Sequence, residues 1–484
     1  MQLSLLLQGE AAQVVGSADC DVSQLTYDSR SVEAASCFFA VVGAVADGHN
    51  FIEQAIDRGA RAVVCERLPS ELREGVSYVV TDDVNRTMGR CSANIYDNPS
   101  REIELVGVTG TNGKTTTATL LADLFRELGF KTGLISTVSY RIGERLYNST
   151  HTTPDAIRLN RMLREMVDEG CAYCFMEVSS HAVVQRRIEG LEFRGAIFSN
   201  LTHDHLDYHG TFAEYIKAKK RLFDGLSKGA FALTNIDDRN GEVMVQNCRA
   251  EVVRYSLRSM ADFRARVVEQ HIDGMLLQIC GVEVWAQLLG RFNAYNLLAA
   301  YGTARMLGFR EDEILLAISR LRPVSGRFEH FEAGGRTVIV DYAHTPDALT
   351  SVLSTIGELR REGQQLITVC GCGGDRDRTK RPEMARIALE GSTIAIYTSD
   401  NPRTEEPSAI IAEMIEGVAD RKIEGHKWVK IQDRREAIAM AAMLSREGDI
   451  ILIAGKGHET YQIIGTERQH FDDREVAREL LFQL

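Results

Sequence analysis

The sequence predicts an α/β protein of three domains, the second and third each built on a mainly parallel sheet covered by helices. Three observations carry this expectation. The 484 residues leave room for roughly three cores at about 150 residues each. Apolar strand-like runs alternate with stretches of helical periodicity, once between residues 105 and 321 and again from residue 338 onward. A Gly- and Thr-rich loop stands between the first strand of the central alternation and a helix, the place where open parallel sheets carry their chemistry.

Taken in order, the first ~100 residues mix short strands and helices. Strands are expected at Cys37–Val42, Ala60–Cys65 and Ser77–Val80, and the segment closes on Asn98-Pro99-Ser100, a turn signal that sets the first boundary. The central domain opens with Leu105-Val106-Gly107-Val108, followed by a helix whose Leu121, Leu124, Phe125 and Leu128 fall on one face. Further strands are expected at Leu134-Ile135, Phe175-Met176 and Ala196–Phe198. A helical pattern from Glu311 to Leu321 ends where Pro323 and Gly326 interrupt it, which sets the second boundary. The third domain then shows strands at Val338–Val340, Leu366–Val369, Ile394–Tyr397 and Ile450–Ala454. The predicted domains are residues 1–99, 100–325 and 326–484.

Composition excludes several classes. With 44% hydrophobic and 26% charged residues the chain is neither disordered nor fibrous. A formal charge of −12 provides no global positive field for nucleic acid or an anionic membrane, so any phosphate must be held locally. The opening run Leu5-Leu6-Leu7 lacks a basic flank and meets Glu10 at once, unlike a signal peptide, and no segment approaches ~18 continuous apolar residues. Ten scattered cysteines suit free thiols in a reducing cytoplasm. The pair Cys171-x-x-Cys174 enters an apolar strand without a second pair and reads as structural.

The strongest local signal is Thr109-Gly110-Thr111-Asn112-Gly113-Lys114-Thr115-Thr116. Glycines let backbone amides turn toward an oxyanion, the helix N-terminus adds positive potential, Lys114 neutralises terminal phosphates, and the Thr115 hydroxyl can reach Mg²⁺. The loop fits a nucleoside triphosphate, although Val108 stands where the general phosphate-loop pattern has its first Gly. A second signal is Glu177, a carboxylate at the end of an apolar strand, where a compensating cation is the natural explanation. The stretch His203-Asp-His205-Leu-Asp207-Tyr-His209 nearly spells a dizinc hydrolase pattern, but Tyr208 intervenes and the phosphate loop would be left idle. Downstream, Tyr215–Phe223 reads as a helix bearing Lys217, Lys219, Lys220 and Arg221.

Thr109–Thr116 resembles the nucleotide loop of the Mur ligases and folylpolyglutamate synthetases, ATP-dependent enzymes that join an amino acid to a carboxylate. The resemblance continues through Met176–His181, Asp204–Gly210, Gly290–Asn296, Gly326–Glu329, Asp341–Asp347 and Asp400–Arg403. It implies an N-terminal α/β UDP-binding domain, a central ATPase domain of the P-loop type and a C-terminal Rossmann-like domain. By resemblance, the loop residues Gly110–Thr116 bind ATP, Asn293 and Asn296 lie near the base, and Arg327, Asp341 and His344 reach phosphates and ribose. Lys219 would be carbamylated by CO₂, and Thr115, Glu177, His205 and carbamylated Lys219 would hold Mg²⁺. Lys217 and Lys220 are expected on the surface.

Leu25–Val32 and Cys37–Gly43 resemble the UDP-binding domain of the Mur ligases, which folylpolyglutamate synthetases lack. Tyr27, Ser29 and the backbone of Ala44-Val45-Ala46 would touch UDP, while His151, Thr152, Thr153, Ser179, Gln185 and Arg187 would hold the sugar-peptide. The added amino acid turns on Asp400-Asn401-Pro402-Arg403, a motif that resembles the one marking diaminopimelate-adding enzymes. A guanidinium takes a second carboxylate through paired hydrogen bonds and repels the ammonium of lysine. Arg403 with Asp400, Asn401, Pro402, Arg376, Gly455 and Glu459 would form that pocket. The implied activity is ligation of meso-2,6-diaminopimelate to UDP-N-acetylmuramoyl-L-alanyl-D-glutamate through an acyl phosphate, by a cytoplasmic monomer in peptidoglycan precursor synthesis. A lysine-adding or another Mur ligase on the same UDP-linked precursor, or an ATP-gated binding or regulatory protein that hydrolyses ATP to change conformation, are the alternatives.

Overall fold

The computed structural model describes residues 1–43, 46–149, 151–202, 206–419 and 426–482. Among the described residues three large sheets organise the chain, beside a two-stranded hairpin of Tyr461–Ile464 with Glu467–His470. The first has the order Gln13–Val15, Ser77–Val80, Ala60–Cys65, Ser36–Phe39, Gln24–Thr26, parallel except at the Gln13–Val15 edge. Strand alternation divides its apolar residues between two cores. Phe39, Val64 and Val79 face the helix Val84–Ile95, whereas Phe38, Val63 and Tyr78 pack with Ile52 and Ala55. The apolar run expected to continue to Val42 leaves the sheet at Phe39, and Val41 enters a turn in which Gly48 N donates to its carbonyl.

The second sheet has eleven strands. At its centre Glu104–Thr109 lies between Tyr173–Glu177 and Gly195–Phe198, all parallel. Val106, Val108, Phe175 and Ile197 face the helices Lys114–Glu127 and Arg291–Met306. Leu105, Met176, Ala196 and Phe198 face Ala156–Asp168 and Phe212–Asp224. Helices on both faces make this a doubly wound sheet. Both edges are antiparallel: the hairpin Ser139–Ile142/Arg145–Asn148 at one, the meander Phe263–His271, Gly274–Ile279, Val282–Ala286 at the other. The helix expected over Glu311–Leu321 ends at Ile318, with Leu321 still buried against the same core.

The third sheet runs Glu329–Ala333, Arg336–Asp341, Ile450–Ala454, Leu366–Cys370, Ile394–Tyr397, Lys427–Lys430, antiparallel only at its first pair. Helices Pro346–Leu359, Lys380–Gly391 and Pro407–Glu416 cover one face; Arg434–Leu444 and Asp473–Phe482 cover the other. Arg434 and Asp473 are both fully buried and pair at 2.8 Å, joining those last two helices. Unpairing either would leave an uncompensated charge in the core. Strand order therefore brings Asp341, Gly371–Arg376, Asp400–Arg403 and Gly455–Glu459 to the carboxyl ends of adjacent parallel strands.

Candidate active site

The phosphate loop leaves the carboxyl end of Glu104–Thr109 and enters the helix at Lys114, with Gly110 and Gly113 at positive φ of 152° and 85°. It is held from the next strand: Thr111 N donates to Asn200 O (2.8 Å), Asn112 N to Asn200 Oδ1 (2.9 Å), and Ser199 Oγ to Asn112 O (2.7 Å). Lys114 Nζ lies over the loop, donating to the carbonyls of Gly110 (2.9 Å) and Thr111 (2.7 Å). Thr115 and Thr116 are buried in the first helical turn. Asn296 accepts from Thr117 Oγ1 (3.1 Å) and donates to Asn293 Oδ1 (3.0 Å), so both asparagines sit beside the start of this helix.

The third domain reaches the same loop. Arg327 Nη2 donates to Thr115 Oγ1 at 3.0 Å while its guanidinium stacks on Tyr342, 4.5 Å from the ring centre. Asp341 accepts from Phe328 N (2.6 Å), and burial pushes its carboxyl up to about 6 against the pull of Arg327 and the neighbouring amides. His344 is exposed, its Nδ1 2.8 Å from the Tyr342 carbonyl.

Glu177 ends its strand at 1% exposure and accepts from Thr137 N (2.6 Å) and Thr137 Oγ1 (3.2 Å). Both donors are neutral, so the carboxylate suits a hard cation. Thr137 was missed from the sequence; its place just past the strand Thr132–Ile135 is the signal that could have found it. Lys219 is equally buried, its Nζ 2.7 Å from the Gly110 carbonyl and 4.7 Å from the Tyr215 ring centre. A lysine beneath the phosphate loop fits conversion to an anionic carbamate facing a cation. His205 lies outside the described residues, as do Ala44 and Val45. Among the described residues no three His, Cys, Asp or Glu side chains converge as a metal site. Lys217 is exposed, but Lys220 is mostly covered, ion-paired with Asp224 along the helix; the expectation of a surface lysine is corrected there.

The residues assigned to the sugar-peptide form one chain of contacts. Thr137 Oγ1 and Thr152 Oγ1 lie 3.0 Å apart, Thr153 Oγ1 donates to the Glu177 carbonyl (2.8 Å), and Ser179 N to Thr153 Oγ1 (3.2 Å). Arg187 donates through Nη1 to Thr153 O (2.6 Å) and through Nε and Nη2 to Gln185 Oε1 (3.0 and 2.6 Å). Burial and the nearby Arg187 charge hold the His151 imidazole below its usual range. Tyr27, 46% exposed, belongs to the first domain, yet it feels Asp155 and Arg187 of the second; burial and Asp155 push its hydroxyl up. Ser29 is buried, donating to Gln54 Oε1 (2.9 Å), and Ala46 is exposed.

In the third domain Asn401 Nδ2 donates to Glu459 Oε2 (2.7 Å), and Asn401 Oδ1 accepts from Ile463 N (2.9 Å). Burial and the Asp400 charge raise the Glu459 carboxyl, with Lys456 and Asn401 opposing. Lys456 Nζ, fully buried, is 3.4 Å from Glu459 Oε2. Arg403 has φ 53°, and its Nη1 donates to Gly374 O (2.7 Å) beside Pro402. A Cβ on Gly455 would lie 2.5 Å from Asp400 Oδ2. Arg376 is exposed at the rim. Behind them Arg381, fully buried, pairs with Glu405 (2.8 Å) and Glu413 (2.7 Å) and holds the Glu405 carboxyl down to about 2. Lys456 and Tyr342 were not singled out from the sequence, although Lys456 follows Gly455 directly and Tyr342 stands inside Asp341–Asp347.

Three family domains match in sequence order: the Mur ligase family catalytic domain over residues 21–102, the Mur ligase middle domain over 108–304, and the Mur ligase glutamate ligase domain over 326–457. The chain belongs to the Mur ligase family. It is 53% identical over 482 residues to UDP-N-acetylmuramoyl-L-alanyl-D-glutamate--2,6-diaminopimelate ligase of Phocaeicola vulgatus, covering 99% of each chain. The protein of that same name from Geobacillus kaustophilus is 44% identical, over 95% of this chain and 94% of the other. A solved structure of a ligase with that name superposes with a TM-score of 0.72 at 34% identity, covering 99% of this chain and 98% of the other. The fold is also shared with folylpolyglutamate synthase of Mycobacterium tuberculosis (TM-score 0.60, 18% identity), which covers 76% of this chain and 92% of its own.

Proposed function

We propose that the protein is the ATP-dependent ligase that adds meso-2,6-diaminopimelate to UDP-N-acetylmuramoyl-L-alanyl-D-glutamate in peptidoglycan precursor synthesis. The D-glutamate carboxylate attacks the γ-phosphorus of ATP and ADP leaves. The amine of diaminopimelate then attacks the acyl phosphate, loses a proton and expels phosphate. One ATP is consumed per amide formed.

The observation that carries the reading is the Arg327–Thr115 contact, which sets the domain bearing the Asn401–Arg403–Glu459 pocket directly on the phosphate loop. Loop amides and Lys114 bind the phosphates, Arg327 adds charge from the opposite side, and Asn293, Asn296, Asp341 and His344 complete the nucleotide site. Thr115, Glu177, His205 and carbamylated Lys219 would hold Mg²⁺, which neutralises charge on the transferred phosphoryl group. Tyr27, Ser29 and the 44–46 backbone take UDP, while His151, Thr152, Thr153, Ser179, Gln185 and Arg187 take the sugar-peptide. Arg403 and Arg376 take diaminopimelate carboxylates, with Asp400, Asn401, Pro402, Gly455 and Glu459 lining the pocket. The domains are taken as 1–99, 100–325 and 326–484, acting as a monomer. None of the helices described is long and apolar enough to cross a membrane. All ten cysteines are free thiols, which favours the cytoplasm.

The test is phosphate release from ATP with each substrate omitted in turn, together with the mass of the product. Release that requires both co-substrates and yields the amide supports the ligase. Steady release with neither co-substrate would identify an ATP-driven regulatory protein instead. Faster incorporation of lysine than of diaminopimelate would move the protein to the lysine-adding branch.

A further inference from the structure

Gln185 and Arg187, assigned above to the sugar-peptide, flank a residue with no such assignment. Arg186 points away from them toward the first domain. Its backbone is left-handed at φ 56°, a region that costs a non-Gly residue about 1 kcal/mol or more. Its Nε donates to Asp83 Oδ2 (3.2 Å), and its Nη1 lies 3.5 Å from Glu189 Oε2. Glu189 in turn pairs with Arg90 (3.4 Å), and Arg90 with the buried Glu10 (3.1 Å). Asp83 caps the helix Val84–Ile95, and Arg90 lies within that helix. The turn is seated on the helix without slack, since a Cβ on Gly89 would lie 2.7 Å from Glu189 Cβ and 2.9 Å from its carbonyl.

We propose that Arg186 is a positioning residue: tied to Asp83 of the first domain and to Glu189, it holds the 185–187 turn in its left-handed form and thereby aims Gln185 and Arg187 at the sugar-peptide. In a turn whose centre is intrinsically disfavoured, the side chains on either side point correctly only while something outside the turn holds it. In this arrangement Arg187 keeps both Gln185 Oε1 and the Thr153 carbonyl in reach. Docking of the UDP-binding domain thus sets the geometry of a peptide-binding turn that belongs to the next domain. This rests on the functional reading above.

The experiment measures the Kd of UDP-N-acetylmuramoyl-L-alanyl-D-glutamate and the KM of all three substrates for the full-length enzyme. The variants are Arg186→Gln, Arg186→Lys, Asp83→Asn and Arg187→Ala. Asn at position 83 can still cap its helix, so Asp83→Asn removes the ion pair without removing the cap. Expected is a roughly two- to fivefold weakening of the UDP substrate for Arg186→Gln and Asp83→Asn, the scale of partly exposed ion pairs. ATP and diaminopimelate KM, kcat and Tm should stay near wild type, and Arg186→Lys should recover most of the loss. Added salt should weaken the wild type toward the level of Arg186→Gln, which itself changes less. Arg187→Ala separates the two readings. If it weakens the UDP substrate while Arg186→Gln and Asp83→Asn do not, or if those two shift all three KM values alike, the positioning role is overturned. If Arg187→Ala has no effect, the substrate assignment itself is wrong.

Discussion

Lys219 and Asp341 show how burial converts ordinary side chains into chemically committed ones. Lys219 shares its helix with Lys217, Lys220 and Arg221, yet the fold buries it against the Gly110 carbonyl while Lys217 stays exposed. A buried ammonium is costly; a carbamate beside a cation is compensated. Lys219→Ala should therefore reduce turnover by roughly a hundredfold or more, the several kcal/mol that metal charge stabilisation supplies. Gentle digestion of intact protein should give a Lys219 peptide heavier by one CO₂. Asp341 makes a pH prediction. Its carboxyl titrates near about 6 in the fold against an ordinary 3.8, because burial favours the protonated form. The folded chain thus binds the extra proton between about pH 4 and 6, and this stabilisation, complete below about 4, is lost as pH rises through 6. Tm of the wild type should fall relative to Asp341→Asn over that interval, and parallel curves would contradict the shift.

At the scale of elements, what could be read from the chain depended on how much apolar surface each segment buries. The strands Ala60–Cys65, Ser77–Val80 and Ile450–Ala454 were legible to the residue because nearly every side chain in them is buried. Arg145–Asn148 was not, since all four residues are exposed and only pairing with Ser139–Ile142 makes them a strand. The loop Thr109–Thr116 was legible for another reason: its pattern is local to eight consecutive residues. Arg327–Thr115 spans 212 positions, and only the fold shows that it exists. Linker and pocket meet in a similarly non-local way. Gly326, at φ 65°, packs so closely on Gly457 and His458 that a Cβ would fall on the His458 backbone nitrogen. Gly363, at φ 84°, has open space around it. Gly363→Ala should cost about 1 kcal/mol, the left-handed penalty alone. Gly326→Ala should cost about 2 kcal/mol more as overpacking against backbone and also raise the KM of the amino acid, because it displaces the segment that carries Glu459. Equal Tm losses for the two variants would show that the contact contributes nothing.

Across the whole molecule, UDP is assigned to the first sheet, the sugar-peptide and most of the ATP site to the second, and the amino acid with Arg327, Asp341 and His344 to the third. The second and third domains were readable from their strand-helix alternation and the first from its resemblance to a UDP-binding domain, whereas the meeting of Asn401 with Glu459, 58 residues apart, follows only from strand order. That separation makes amino-acid selection testable apart from nucleotide binding. Arg403 is fixed by its backbone on both sides, its N donating to Ile463 O (3.1 Å) and its carbonyl accepting from Gly465 N (2.7 Å). Its guanidinium is anchored by one nitrogen on Gly374 O, which leaves the rest of the fork for a ligand carboxylate. Charge-assisted bonds of this kind contribute about 1.5–3 kcal/mol each, so Arg403→Ala should raise the KM of diaminopimelate by about 10- to 100-fold. The KM of ATP, whose proposed contacts are Lys114 and Arg327, should change less than about twofold. Arg403→Lys keeps the charge but loses the planar fork and should recover only part of the affinity. Discrimination against lysine should collapse in Arg403→Ala, because the variant loses the group proposed to attract the second carboxylate and repel the second ammonium. A variant that still prefers diaminopimelate as strongly as the wild type would place the selecting group elsewhere on the third domain.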